Sequence, residues 1–139
     1  SINLNGSFLM EHEELIDGSD PTSLFISRNN PNNPKLRSNL NLTYQKGPLS
    51  LGLNTRYIGS TIYDPNALTD ETSDKPLVPS RVYNDLIIGY EFENEIRVTG
   101  TITNIGDVNP PRIGNLFLGA LGNYDNTGRF ISLRASYSF

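Results

Sequence analysis

The stretch KLRSNLNLTYQ, residues 35–45, alternates: Leu36, Leu40, Leu42 and Tyr44 fall on one side, and Arg37, Asn39, Asn41, Thr43 and Gln45 on the other. A period of two is the geometry of an extended strand whose faces meet different solvents, and a helix cannot present it. The same period runs through SINLNGSFLM, which sets Ile2, Leu4, Phe8 and Met10 against Asn3, Asn5 and Ser7. It returns in LSLGLNTRY, with Leu49, Leu51, Leu53 and Tyr57 against Ser50, Asn54 and Arg56. RVYNDLIIGYEF aligns Leu86, Ile88, Tyr90 and Phe92; IRVTGTITNI aligns Ile96, Val98 and Ile102; RFISLRASYSF aligns Ile131, Leu133, Ala135, Tyr137 and Phe139. The expectation is an all-β, antiparallel chain with six principal strands.

Turn chemistry divides the strands into hairpins. Lys46-Gly47-Pro48 and Glu93-Asn94-Glu95 are short turns, the first carrying the Gly and Pro that preset tight reversals. The other connections, Glu13 to Lys35, Gly59 to Ser80 and Gly106 to Thr127, each exceed twenty residues. Loops of that length are uncommon in compact soluble domains. They are rich in turn formers, as in Pro31-Asn32-Asn33-Pro34 and Asn109-Pro110-Pro111. The stretch NLFLGAL, residues 115–121, fits a helical turn or a strand extension equally well.

Bulk numbers narrow the function. A chain of 139 residues reads as a single segment, residues 1–139. Its 11 basic and 15 acidic residues give a net charge of -4 and no basic block to follow a phosphate backbone, so nucleic acid is not an expected partner. Without cysteine, and with His12 as its one histidine, the chain has little from which to build a thiolate or histidine metal site or a cysteine nucleophile. The longest run free of charged residues, Ile113 to Tyr124, has twelve residues, too few for a helix to cross a bilayer. The opening residue, Ser1, with no Met and no basic-then-apolar leader, reads as the start of a processed chain or of a piece of a longer one.

Alternation alone fits a soluble sheet packed on a core, and that alternative stands as a self-contained β-sheet binding module. Other features point to lipid. The strands run to about ten residues, the length a tilted strand needs to cross hydrocarbon. The wet face is Asn, Ser, Thr, Gln and Arg. Aromatic residues Tyr44, Tyr57, Tyr90, Phe92, Tyr137 and Phe139 sit near strand ends on the apolar side, where a barrel carries its interfacial girdles. Short turns alternating with long loops match periplasmic turns and extracellular loops. Six strands are fewer than the eight of the smallest usual barrels, so the expectation is part of a larger transmembrane β-barrel.

At this point a family likeness comes into view, carried by LNGSFLMEHEE, PKLRSNLNLTYQKGPLSLGLNTRYIGSTIYD, VYNDLIIGYEFENEIRVTGTITNIGDVNPP and the closing GNYDNTGRFISLRASYSF. In that order they resemble the C-terminal part of the β-barrel of TonB-dependent outer-membrane receptors. Asn104, Asp107 and Pro110-Pro111 stand where the family places an Asn, Asp and Pro signature in its penultimate hairpin. Leu133, Ala135, Tyr137 and Phe139 resemble the terminal signal read by the barrel-assembly machinery. The resemblance implies a 22-stranded barrel in the bacterial outer membrane, closed by a plug and importing iron complexes such as siderophores, or other scarce nutrients. Its partners would be outer-membrane lipid, the remaining strands and plug of the same receptor, the assembly machinery, and the TonB system indirectly through the plug. The TonB box and plug have no counterpart in these 139 residues.

Single residues weigh less. Arg37, Arg56, Arg97 and Arg134 all fall on the polar face, where they would attract an anionic substrate or pair with lumen carboxylates. Glu11-His12-Glu13-Glu14 reads as a charged loop edge before it reads as a metal site, and Asp17-Gly18-Ser19-Asp20 as a turn lacking the remaining ligands of a calcium loop. Asp70, Glu71, Asp74 and Lys75 read as a solvated loop tip, and Asn104 and Asp107 as turn and loop anchors. With no nucleophile beside a base, no phosphate-cradling glycine loop and no paired catalytic carboxylates, the sequence points to no enzyme and no cofactor.

Overall fold

The computed structural model describes residues 1–10, 13–15, 24–26, 29–63, 77–93, 95–113, 116–117 and 123–138. In chain order the strands are β1 (Ile2–Phe8), β2 (Glu13–Leu15), β3 (Leu24–Ile26), β4 (Leu36–Lys46), β5 (Leu49–Ile58), β6 (Thr61–Ile62), β7 (Leu77–Val78), β8 (Arg81–Glu91), β9 (Ile96–Thr103), β10 (Arg112–Ile113), β11 (Leu116–Phe117) and β12 (Phe130–Tyr137). The six long ones form one antiparallel sheet in the order β1-β4-β5-β8-β9-β12. Each pairs with its sequence neighbour among the long strands, as an up-and-down meander requires. The sheet is open: among the described residues no strand pairs with the outer edge of β1 or β12.

Two turns set the register. Lys46 pairs with Leu49, so the first turn has two residues and Lys46 belongs to its strand, one residue short of the reversal expected at 46–48. Gly47, at φ 54, occupies a first central position that needs positive φ, and Pro48 takes the second. The second reversal agrees with the sequence: the Phe92 amide donates to the Ile96 carbonyl at 2.8 Å, and Glu95 closes the turn at φ 63.

These registers bring most apolar residues of the long strands to a common face, with Ile58, Tyr83, Ile87 and Phe130 on the other. One lateral row crosses all six strands: Ile2, Leu42, Leu53, Leu86, Ile102 and Ile131. The next, toward the short turns, is Tyr44, Leu51, Ile88, Gly100 and Leu133. Polar residues interrupt the stripe at Ser38 on β4 and at Thr55 and Asn84, which pair across β5 and β8 and satisfy each other: Thr55 Oγ1 donates to Asn84 Oδ1 at 2.7 Å. A lone hydroxyl or amide there would cost about 1–3 kcal/mol in an apolar setting.

Each long connection carries a short hairpin of its own, β2 with β3, β6 with β7, and β10 with β11. Within NLFLGAL, Leu116–Phe117 is strand, and the rest lies outside the described residues.

Candidate functional site

The apolar face has no protein cover among the described residues. Ile2, Leu4, Ile131 and Leu133 are 75%, 71%, 68% and 78% exposed. At about 2 kcal/mol for fully burying such a side chain, shielding these four from water is worth roughly 5 kcal/mol, a large fraction of a typical domain's net stability of about 5–15 kcal/mol. In β4 the eleven residues from Leu36 to Lys46 span about 33 Å along the strand and about 23 Å in height at a tilt near 45°. That approaches the apolar band of about 25 Å on outer-membrane barrels.

Aromatics bracket this band. Tyr44, Tyr90, Phe92 and Tyr137 sit toward the short turns, with the Tyr90 and Phe92 rings edge to face at 4.7 Å. Tyr57 stands at the long-loop end, as does Phe8, whose ring lies 5.1 Å below the Lys35 ammonium. Phe139 lies outside the described residues, as do His12, Asp17 to Asp20, Asp70, Glu71, Asp74 and Lys75.

The opposite face is polar, and the buried core of the described residues rests on its long-loop end. Ile58 and Tyr83 break the polar alternation of β5 and β8, and both are buried, at 2% and 1% exposure, in a cluster with Val78 and Tyr124 from the loops. Val108 packs against that cluster. Asn123 ties the last loop to the first: its Nδ2 donates to the carbonyls of Pro31 at 2.7 Å and Asn32 at 2.8 Å. The Ile62 amide donates to the Asn29 carbonyl at 2.8 Å, linking the second loop to the first. Arg81 Nε donates to the Asn109 carbonyl at 2.9 Å, joining the start of β8 to the last loop. Three long connections thus converge on one platform over the polar face. The sequence hinted at this through Ile58 and Tyr83, apolar residues out of phase with their neighbours, but Ile87 and Phe130 are out of phase too and stay exposed.

All four arginines lie on the polar face, in different company. Arg97 Nη2 meets Glu91 Oε2 at 2.7 Å, an exposed pair. Arg134 stands opposite Thr99 on β9. Arg37 Nη1 donates to Asn123 Oδ1 at 3.2 Å. The Arg56 guanidinium lies 5.0 Å over the Tyr83 ring. Among the described residues only Arg37 and Arg56 share a cleft, about 340 Å³ in volume and lined also by Ser7, Asn39, Tyr57, Ile58 and Asn123. Asn104 and Asp107 are loop anchors as expected: the Asn104 side chain spans both polar groups of the Val108 backbone, and Asp107 Oδ1 accepts from the Arg129 amide at 2.9 Å.

Comparisons with protein-family models, with curated proteins and with solved structures give no significant match. Among the described residues there is no cluster of acidic and histidine side chains arranged to hold a metal.

The loop core responds to alkali in a definite direction. Burial raises the Tyr124 hydroxyl above the ordinary value of 10.0, against weaker opposing effects of the Thr61 hydroxyl and the Arg81 charge. The folded state therefore favours neutral Tyr124. Its contribution is complete below the unfolded value and declines as pH rises from there through the raised one. Ultraviolet titration of tyrosinate is expected to show a late-ionising group that Tyr124→Phe removes; an unchanged titration in that variant would contradict the assignment.

Proposed function

We propose that this chain is a wall segment of a larger outer-membrane β-barrel receptor of the TonB-dependent type, contributing lumen surface and extracellular loops to nutrient uptake. The observation that carries the reading is the apolar face: continuous over six strands, about as tall as a membrane's apolar band, and flanked by aromatic rings. Lipid covers such a face without a protein partner. The open edges support the same reading, because unpaired strand edges in hydrocarbon cost several kcal/mol per polar group and are removed only by closure with further strands. The polar face then looks into the lumen, and the loop platform closes over its outer end. The resemblance of the sequence supplies the family, the iron complexes or other scarce nutrients as cargo, and the plug and TonB system as partners. Function on this reading is binding and gated passage, without covalent chemistry.

The test is the size and location of the native protein. An antibody raised against residues 13–35, used on fractionated cells, is expected to find a band far larger than 15.4 kDa in the outer membrane. A band of 15.4 kDa in a soluble fraction would overturn the reading and leave the apolar face to be covered by protein.

A further inference from the structure

Positive charge gathers on the polar face at one place where, among the described residues, no carboxylate closes an ion pair, although Asp85 stands diagonal to Arg56 across β5 and β8. Arg37 faces Ile58, and Asn39 faces Arg56, so the two arginines are diagonal neighbours on adjacent strands, with Cα atoms roughly 7–8 Å apart. Both line the cleft of about 340 Å³ with Ser7, Asn39 and Asn123 and the apolar Tyr57 and Ile58, a size near the lower limit for small-molecule pockets. Each guanidinium is positioned but not neutralised. The Arg56 group is stacked on Tyr83, and its Nε is closed off from solvent with no hydrogen-bond partner among the described residues. Arg37 is held by the uncharged amide oxygen of Asn123. Among the described residues neither has a carboxylate oxygen within 4.0 Å, the separation that Arg97 and Glu91 satisfy.

Guanidinium groups offer planar forks of N–H donors whose geometry matches carboxylate and phosphate. Like charges held this close repel, and an oxyanion between them removes the repulsion while supplying acceptors. The Ser7 hydroxyl and the Asn39 amide on the cleft wall add neutral donors for remaining oxygens.

We propose that the cleft of Arg37, Arg56, Asn39, Ser7 and Asn123 binds a small solute through a carboxylate or phosphate group. The cleft lies on the polar face, so the assignment holds whether lipid or protein covers the other side, and either reading can fail without the other.

Calorimetric titration of the native protein with inorganic phosphate, and separately with citrate, tests it. Saturable binding of either probe is expected, and the probe that binds identifies phosphate or carboxylate as the recognised group. Arg56→Gln and Arg37→Gln should each weaken binding by about tenfold or more. Arg56→Lys, which keeps the charge and loses the fork, should fall between. Arg134→Gln, on the same face but outside the cleft, should bind as the parent does. Absence of saturable binding of both probes to the parent protein would overturn the proposal whatever the variants do. An equal loss in Arg134→Gln would overturn it too, by reducing the effect to general electrostatics.

Discussion

Leu42→Arg is expected to destabilise the protein by about 2–4 kcal/mol in a phospholipid bilayer, whereas Asn41→Arg, one residue away, should change stability by less than about 1 kcal/mol. The difference follows from register. Leu42 sits between Ile2 and Leu53 in the row that crosses all six strands, near the middle of the apolar band. With lipid on that face, as proposed, a guanidinium there would have neither water nor a counterion. Asn41 lies between Asn3 and Asn54 on the face where arginine already occurs at positions 37, 56, 97 and 134. Denaturant unfolding of the native protein in vesicles reads both. Equal tolerance at the two positions would sink the assignment of lipid to the Leu42 face. A soluble sheet packed on protein would also punish Leu42→Arg, so the same pair measured in detergent of differing chain length separates the cases: only a lipid-facing site should respond to the thickness of the apolar layer.

Much of the sheet was legible because alternation over about ten residues leaves a strong signal and one face demands it throughout. The β4–β5 pairing shows how far such reasoning reaches. A three-residue turn at 46–48 would set Arg37 opposite Tyr57 and mix the faces. Keeping Leu36, Leu40, Leu42 and Tyr44 on the side of Leu49, Leu51, Leu53 and Tyr57 requires a turn of even length, and the structure has the two-residue one, with Lys46 against Leu49. Face matching alone would have put Arg37 and Arg56 on the same face, and the two-residue turn makes them diagonal neighbours. The loops were less legible. Strands of two or three residues, such as Thr61–Ile62 and Leu77–Val78, are too short to show a period. The core of Ile58, Val78, Tyr83 and Tyr124 joins residues from separate connections, and no local pattern announces that meeting. Asn123, which joins two loops and holds Arg37, was indistinguishable from the many other asparagines.

Asn104→Ala should cost about 2–4 kcal/mol, an effect concentrated in the last long connection. Asn104 is fully buried and holds φ 50, in the left-handed region. There an ordinary side chain costs about 1–2 kcal/mol, while asparagine is among the few residues that visit it routinely. Its Nδ2 donates to the Val108 carbonyl at 3.0 Å, and its Oδ1 accepts from the Val108 amide at 2.9 Å. Alanine leaves both Val108 groups without these partners, at about 1–3 kcal/mol for each that stays dry. Asn104→Gly relieves the backbone and still loses the bridge, so the gap between the Ala and Gly variants reads the conformational cost. Asn104→Asp keeps the acceptor and loses the donor, which isolates one bond of the two. Hydrogen exchange at the Val108 and Arg129 amides is the local readout, since Asp107, in the same turn, holds the Arg129 amide at the entry to β12. Val108 exchanging in Asn104→Ala as slowly as in the parent would show that the bridge does not hold the turn. If the turn does open, the consequence extends beyond it. The same connection carries Tyr124 into the loop core and Asn123 onto Arg37. Asn104→Ala should therefore weaken anion binding in the arginine cleft through residues that never touch Asn104.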